Sequence, residues 1–120
     1  MARNILGEPL AECSCDPMTG FFRDGCCHTS GEDLGMHTVC AVMTDTFLEF
    51  SREQGNDLST PQPEMGFPGL RPGDRWCICL ARWVEALQGQ CAPPVVLAAT
   101  HASVSEFIDL ETLKAHAFQD

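Results

Sequence analysis

Three thiols and two imidazoles fall within 15 residues, between Cys26 and Cys40, and this density constrains the chain more than any other feature. The stretch reads Asp24-Gly25-Cys26-Cys27-His28 and then Gly35-Met36-His37-Thr38-Val39-Cys40. It lies between a glycine-rich turn region and the first strongly apolar run, and Cys77-Ile78-Cys79 is its natural partner further along. Whether such side chains pair, bind a metal or are buried decides how the rest of the chain can fold.

The compartment bears on that choice. The first ten residues hold no apolar run long enough for a secretory signal. No later segment approaches the ~18 uninterrupted apolar residues of a membrane span. Both point to a cytoplasmic protein, where thiols are kept reduced. Eight cysteines in a secreted domain would suggest a disulfide framework whose pairing no spacing could choose. In the cytoplasm, free thiols or metal thiolates are favoured instead. A length of 120 residues is one domain by size, with its core at about 6–117. The net charge of −10 is spread along the chain, and the basic residues are one lysine and six scattered arginines. A nucleic-acid surface needs clustered cations, so nucleic acid is excluded as a partner, as is attraction to anionic lipid or a membrane. A small-molecule or protein partner is left open.

Turn chemistry dominates the first 22 residues, where Cys15-Asp16-Pro17-Met18-Thr19-Gly20 combines a proline of fixed φ with an aspartate able to bond its own backbone. His37 to Met43 is rich in β-branched and apolar residues and predicts a buried strand. Thr44 suits an N-cap and Asp45 the first turn, so a helix is expected at 45–54, stopped by Gly55. Residues 55–73 carry four prolines and four glycines. Leu58, Met65, Phe67 and Leu70 would anchor this segment as an ordered loop on the core. Its Asp57, Ser59, Thr60 and Arg71 either line a pocket or belong to a rigid cover. From Asp74 to Gly89 the pattern favours a helix capped by Asp74, with Trp76, Leu80, Trp83, Val84 and Leu87 at helical spacing. A strand at 75–79 is the alternative, and it would put Cys77 and Cys79 on one face with Arg75. After Pro93-Pro94, Val95–Ala99 predicts a short strand and Glu106-Phe107-Ile108 a second, before Asp109 caps a terminal helix. The mixture predicts an α+β domain with a short mixed sheet, two or three helices and a long ordered Pro/Gly-rich loop.

Thiolate and imidazole are the ligands zinc prefers. The metal candidates are Cys26, Cys27, His37, Cys40, Cys77, Cys79 and His101, with His28 and Cys13 available nearby. The cofactor they imply is zinc or another soft transition metal. No Cys-x-x-Cys occurs, however, and in a strand His37 and Cys40 fall on opposite faces. A second reading is a cysteine-dependent redox or transfer enzyme. Were Asp74 a cap, Cys77 would sit in the first helical turn, where free N–H groups and the dipole stabilise a thiolate, aided by Arg75. Cys77 and Cys26 are then the catalytic thiols and Asp57 and Arg75 their polar partners, with His37 or His101 as base. A third reading is a non-catalytic adaptor that recognises a partner through loop 55–73. Against all three, any one thiol taken alone reads most simply as a small buried apolar residue. That account is weakest for Cys26-Cys27-His28, which lies in a glycine-bounded turn. Glu32-Asp33 reads as a solvated acidic pair, Trp76 and Trp83 as core, and His101 and His116 as surface histidines. No phosphate loop, nucleophile-elbow serine or His-Glu-x-x-His helix is present.

Six strings carry a resemblance: Asp-Gly-Cys-Cys (24–27), His-Thr-Val-Cys-Ala (37–41), Gly-Asn-Asp-Leu-Ser-Thr-Pro (55–61), Phe-Pro-Gly-Leu (67–70), Pro-Gly-Asp-Arg-Trp-Cys (72–77) and Ala-Pro-Pro-Val (92–95). With them the chain resembles the small bacterial-type proteins grouped as domain of unknown function 2237, from about Leu6 to Ala117. The resemblance implies a self-contained domain and no particular reaction, cofactor or catalytic residue. It implies a pattern including Cys13, Cys26, Cys27, Cys40, Cys77, Cys79, His37 and His101, from which Cys15, His28 and Cys91 depart. The expected functional centre is a thiol-lined pocket where Cys26, Cys27, Cys40, Cys77 and Cys79 approach one another, with His37, Asp57, Arg75 and His101 as polar neighbours.

Overall fold

Two short apolar runs far apart in the chain pair to form the centre of the molecule. Strand β1 (Val39–Val42) lies antiparallel to β2 (Arg75–Ile78), with Val39 opposite Ile78 and Cys40 opposite Cys77. The computed structural model describes residues 2–119. Every residue of β1 is buried, as expected of a strand whose apolar run shows no polar alternation. Val95 bridges antiparallel to Ala41 and parallel to Ala117. Pairing around β1 is therefore mixed, although the regular sheet has two antiparallel strands.

An isolated two-stranded ribbon is marginal in water, so the helices must supply the apolar cover. In α1 (Asp45–Glu53), Thr44 caps the amino terminus by accepting the Phe47 amide at 3.0 Å, and Phe47, Leu48 and Ser51 face inward. In α2 (Leu80–Gln88), Leu80, Trp83 and Ala86 are buried. The Trp83 indole donates to the Pro93 carbonyl at 3.1 Å, which satisfies its one polar group inside the core. The third helix, α3 (Leu110–Ala115), follows Asp109 and buries Leu113. With three helices and a short sheet the architecture is α+β. Its radius of gyration is 13.1 Å, close to the ~14 Å expected of a compact chain this long. No helix is long and apolar enough to cross a membrane among the described residues.

The segment 55–73 is ordered, as expected, through its own backbone bonds. Leu70 N donates to Leu58 O at 2.8 Å, and Gln62 bridges Phe67. Gly69 has φ +80, and a Cβ there would meet Ser59 O at 2.5 Å, so the crossing needs glycine. Leu70 is buried and Phe67 packs edge-on against Trp76, whereas Met65, expected to anchor the loop, is exposed.

Residues 74–89 depart from the favoured single helix. Arg75–Ile78 is strand, Cys79 breaks the run at φ −59 and ψ 135, and only Leu80–Gln88 is helical. The helical stripe was real from Leu80 onward, but Trp76 joins the core from a strand. Ladder bonds to β1 and burial on both faces outweigh local helix propensity there. Asp74 caps nothing: its carboxylate accepts the Arg71 amide in the preceding turn. The expected strand at 95–99 reduces to the bridge at Val95 followed by a 3₁₀ turn at Leu97–Ala99. Residues 106–108 end a second such turn, at Ala102–Glu106, instead of forming a strand.

Candidate functional site

Directly opposed residues of an antiparallel pair share a face, so β1 and β2 present Cys40 and Cys77 side by side. Each amide is bonded elsewhere: Cys40 N donates to Thr100 Oγ1 at 3.2 Å and Cys77 N to Thr19 Oγ1 at 2.9 Å. The two strand cysteines do not join each other. Cys40 is disulfide-bonded to Cys13 and Cys77 to Cys27. All four are buried, and the sulfurs of Cys13, Cys27 and Cys77 lie within 4.8 Å of one another, an arrangement able to hold a metal ion. The expectation of free thiols holds for Cys15, Cys26, Cys79 and Cys91 and fails for these four.

A second constellation forms where β2 gives way to α2. Cys79 is the N-cap residue of that nine-residue helix, so its sulfur stands near the positive end of the helix dipole. Its Sγ lies 3.3 Å from His37 Nε2. On the far side of the ring, His37 Nδ1 is 2.6 Å from Asp33 Oδ1. Asp33 is only 2% exposed, and its other oxygen accepts the His37 amide at 2.9 Å and the Thr29 hydroxyl at 3.1 Å. The backbone locks this geometry: Leu80 N and Thr38 N both donate to Met36 O, and Met36 itself has φ 50. A bulky residue in the left-handed region is uncommon and persists only where its surroundings over-determine it.

The electrostatics follow from these contacts. The bond to the Cys79 sulfur, joined by the bond to Asp33, pushes His37 up to about 9 against the opposing effect of its burial. Burial also works against ionised Asp33, but the His37 ring and amide and the Thr29 hydroxyl hold it below the usual carboxylate range. His37 is therefore a cation at neutral pH, with Nδ1–H directed at the carboxylate and Nε2–H at sulfur. The thiols of Cys26 and Cys91 are pushed up first by burial, and that of Cys15 first by its bond to Glu12. Two concavities are each lined by one member of the pair. Phe21, Arg23, Phe67 and Trp76 join His37 around a cavity of about 290 Å³. Met36, Leu80, Val84 and Phe107 join Cys79 along an open trough of about 610 Å³.

The structure thus splits the single expected pocket in two. Cys27, Cys40 and Cys77 meet in the buried cluster, and Cys79 pairs with His37. Cys26 stands with Asp24 and Glu12 nearby, outside both groups. Cys77 lies in a strand and in a disulfide, so the helical first-turn argument for it fails; Cys79, two residues on, occupies the helix terminus instead. Asp57 bonds its own loop, through Ser59 and Thr60. The Arg75 guanidinium lies 5.5 Å over the Phe118 ring. His101 bridges antiparallel to Asn4 and has its Nδ1 on Ser103, with its pKa lowered by burial and by His28. Sequence reasoning missed Asp33, read as solvated, although its place four residues before His37, with Gly35 between them, was a usable signal.

No curated protein matches the chain. A family model does, across residues 3–117, and the chain belongs to that family, DUF2237, described as uncharacterized protein conserved in bacteria.

Proposed function

We propose that this chain is a cysteine-dependent transfer enzyme in which Cys79 is the nucleophile, His37 the acid–base group and Asp33 the group that orients it. The relay of Cys79, His37 and buried Asp33, at 3.3 and 2.6 Å, carries the reading. A cysteine sulfur bonded to an imidazole, whose other nitrogen is fixed by a carboxylate, is the arrangement of an activated cysteine. Sγ attacks an electrophilic carbon such as an acyl carbonyl, a C–S bond forms, and the leaving group departs with the proton from His37 Nε2. An acceptor, water or a second substrate, then returns a proton to His37 as it attacks the thioester and releases the Cys79 thiolate. A concavity at His37 and another at Cys79 support separate donor and acceptor positions. A reducing compartment such as the cytoplasm would keep Cys79 a free thiol, and the two disulfides would persist there only through their burial away from reductants.

Limited alkylation at neutral pH with site mapping by mass spectrometry tests this. Cys79 should label first among the four free thiols, and His37→Gln should slow it by about tenfold or more. Prior labelling of Cys15, Cys26 or Cys91, or an unchanged rate in H37Q, defeats the proposal.

A second reading, binding of a soft transition metal with zinc first, is supported by the clustered sulfurs of Cys13, Cys27 and Cys77. Disulfide sulfurs carry no thiolate charge, so this reading concerns the reduced chain. The adaptor reading of loop 55–73 gains no specific support, since Asp57, Ser59 and Thr60 bond one another.

A further inference from the structure

We propose that reduction of the two buried disulfides turns Cys13, Cys27, Cys40 and Cys77 into a four-thiolate centre for zinc, so that metal binding is gated by redox state. This rests on the soft-metal reading of the cluster and is independent of Cys79. Two separate staples have no need to meet, yet here both converge on one buried point of the ribbon. The sulfurs of Cys13, Cys27 and Cys77 are mutually within 4.8 Å, and Cys40 is bonded to the first of them. Tetrahedral zinc with Zn–S near 2.3 Å needs sulfurs about 3.8 Å apart. The Cys13 sulfur stands within 4.8 Å of those of Cys27 and Cys77, so reaching that spacing requires each bonded pair to part and the Cys40 side chain to rotate towards the other three.

Backbone bonds other than the disulfides also position the four ligand-bearing residues. Cys40 and Cys77 are opposed in the β1–β2 ladder, and their amides are held by buried Thr100 and Thr19. The two loops carrying Cys13 and Cys27 are tied together, with Cys13 N and Ser14 N both donating to Gly25 O at 2.7 and 3.1 Å. The donor set is all sulfur, which selects zinc and its soft relatives over magnesium or calcium. A dithiol supplies the electrons. Each disulfide gains two electrons and two protons while the dithiol becomes its own disulfide. Zinc then displaces four protons from the four thiols.

The full chain, reduced with a phosphine and freed of metal, is titrated with Co(II) and then Zn(II), while circular dichroism follows the fold. One equivalent of cobalt should give thiolate-to-metal charge transfer and tetrahedral ligand-field bands. One zinc should displace it, with native mass spectrometry reporting one bound ion and four protons lost. The oxidised chain should give none of these signals. Cys40→Ser should abolish the tetrathiolate spectrum, and Cys79→Ser should preserve it. No metal uptake by the reduced chain overturns both this proposal and the soft-metal reading. Equal uptake by the oxidised chain overturns the gating and the four-thiolate assignment together, since bonded sulfurs offer no thiolates, whereas a tetrahedral spectrum unchanged in C40S overturns the fourth ligand and leaves the three-sulfur reading standing. Loss of the signal in C79S, or binding to a reduced chain that does not keep or regain its native dichroism, overturns the assignment to this cluster.

Discussion

At Gly35 the Cys79–His37 contact leaves no room for a side chain. A Cβ there would stand 2.9 Å from His37 Cε1 and 3.1 Å from Cys79 Sγ. Gly35→Ala should therefore push the two apart, slowing Cys79 alkylation towards the rate of H37Q at a stability cost of about 1–3 kcal/mol. Equal labelling rates in G35A and the native chain would show that the contact does not matter for reactivity. The titration of His37 makes a separate prediction for stability. Its folded value, raised from 6.5 to about 9, means that the stabilisation is fully present below pH 6.5 and lost as pH rises through 9. Asp33, lowered from 3.8, contributes in the opposite sense: its stabilisation is present above 3.8 and lost as pH falls. The melting temperature should form a plateau between these limits and decline towards pH 9. His37→Gln should flatten that alkaline decline, which scanning calorimetry across the range would detect. Of this pair of contacts, the sequence shows His37 and Cys79 as reactive types. It does not show that Asp33 is buried, because burial depends on a turn whose Met36 adopts positive φ.

Among the elements, α1 was the most legible, since Thr44, Asp45 and the apolar face at Phe47 and Leu48 are local signals that tertiary packing only reinforces. Thr44→Ala should cost about 1 kcal/mol by removing the side-chain acceptor for the Phe47 amide, measured as a lower urea midpoint at constant slope. The run from Asp74 to Gly89 shows the opposite case. Trp76 and Leu80 satisfy a helical stripe, but residues 75–78 gain more from pairing with 39–42, a partner remote in sequence. That switch moves the helix terminus from Asp74 to Cys79. It thereby moves the activated-thiol argument from Cys77, which enters a disulfide, to Cys79, which stays free.

At the scale of the molecule, the two disulfides tie the amino-terminal coil to the central ribbon. They close chain lengths of 27 and 50 residues. Each, broken alone, should lower stability by roughly 3–4 kcal/mol through restored freedom of the unfolded chain. Paired denaturation of C13S/C40S and C27S/C77S variants measures both, and a loss well below 1 kcal/mol in either would mean that packing already holds that loop. Composition and local pattern were enough to establish an α+β chain with a capped helix expected at 45–54 and found at 45–53, an ordered Pro/Gly-rich segment and reactive side chains near residues 26–40 and 77–79. Those properties arise from propensity, turn chemistry and side-chain type, which act over a few residues. Which cysteines bond, that Cys13 and Cys27 reach the ribbon from separate loops, and that Asp33 backs His37 against Cys79 were decided only by the tertiary structure. Each depends on contacts between segments distant along the chain, and local sequence carries no record of their approach.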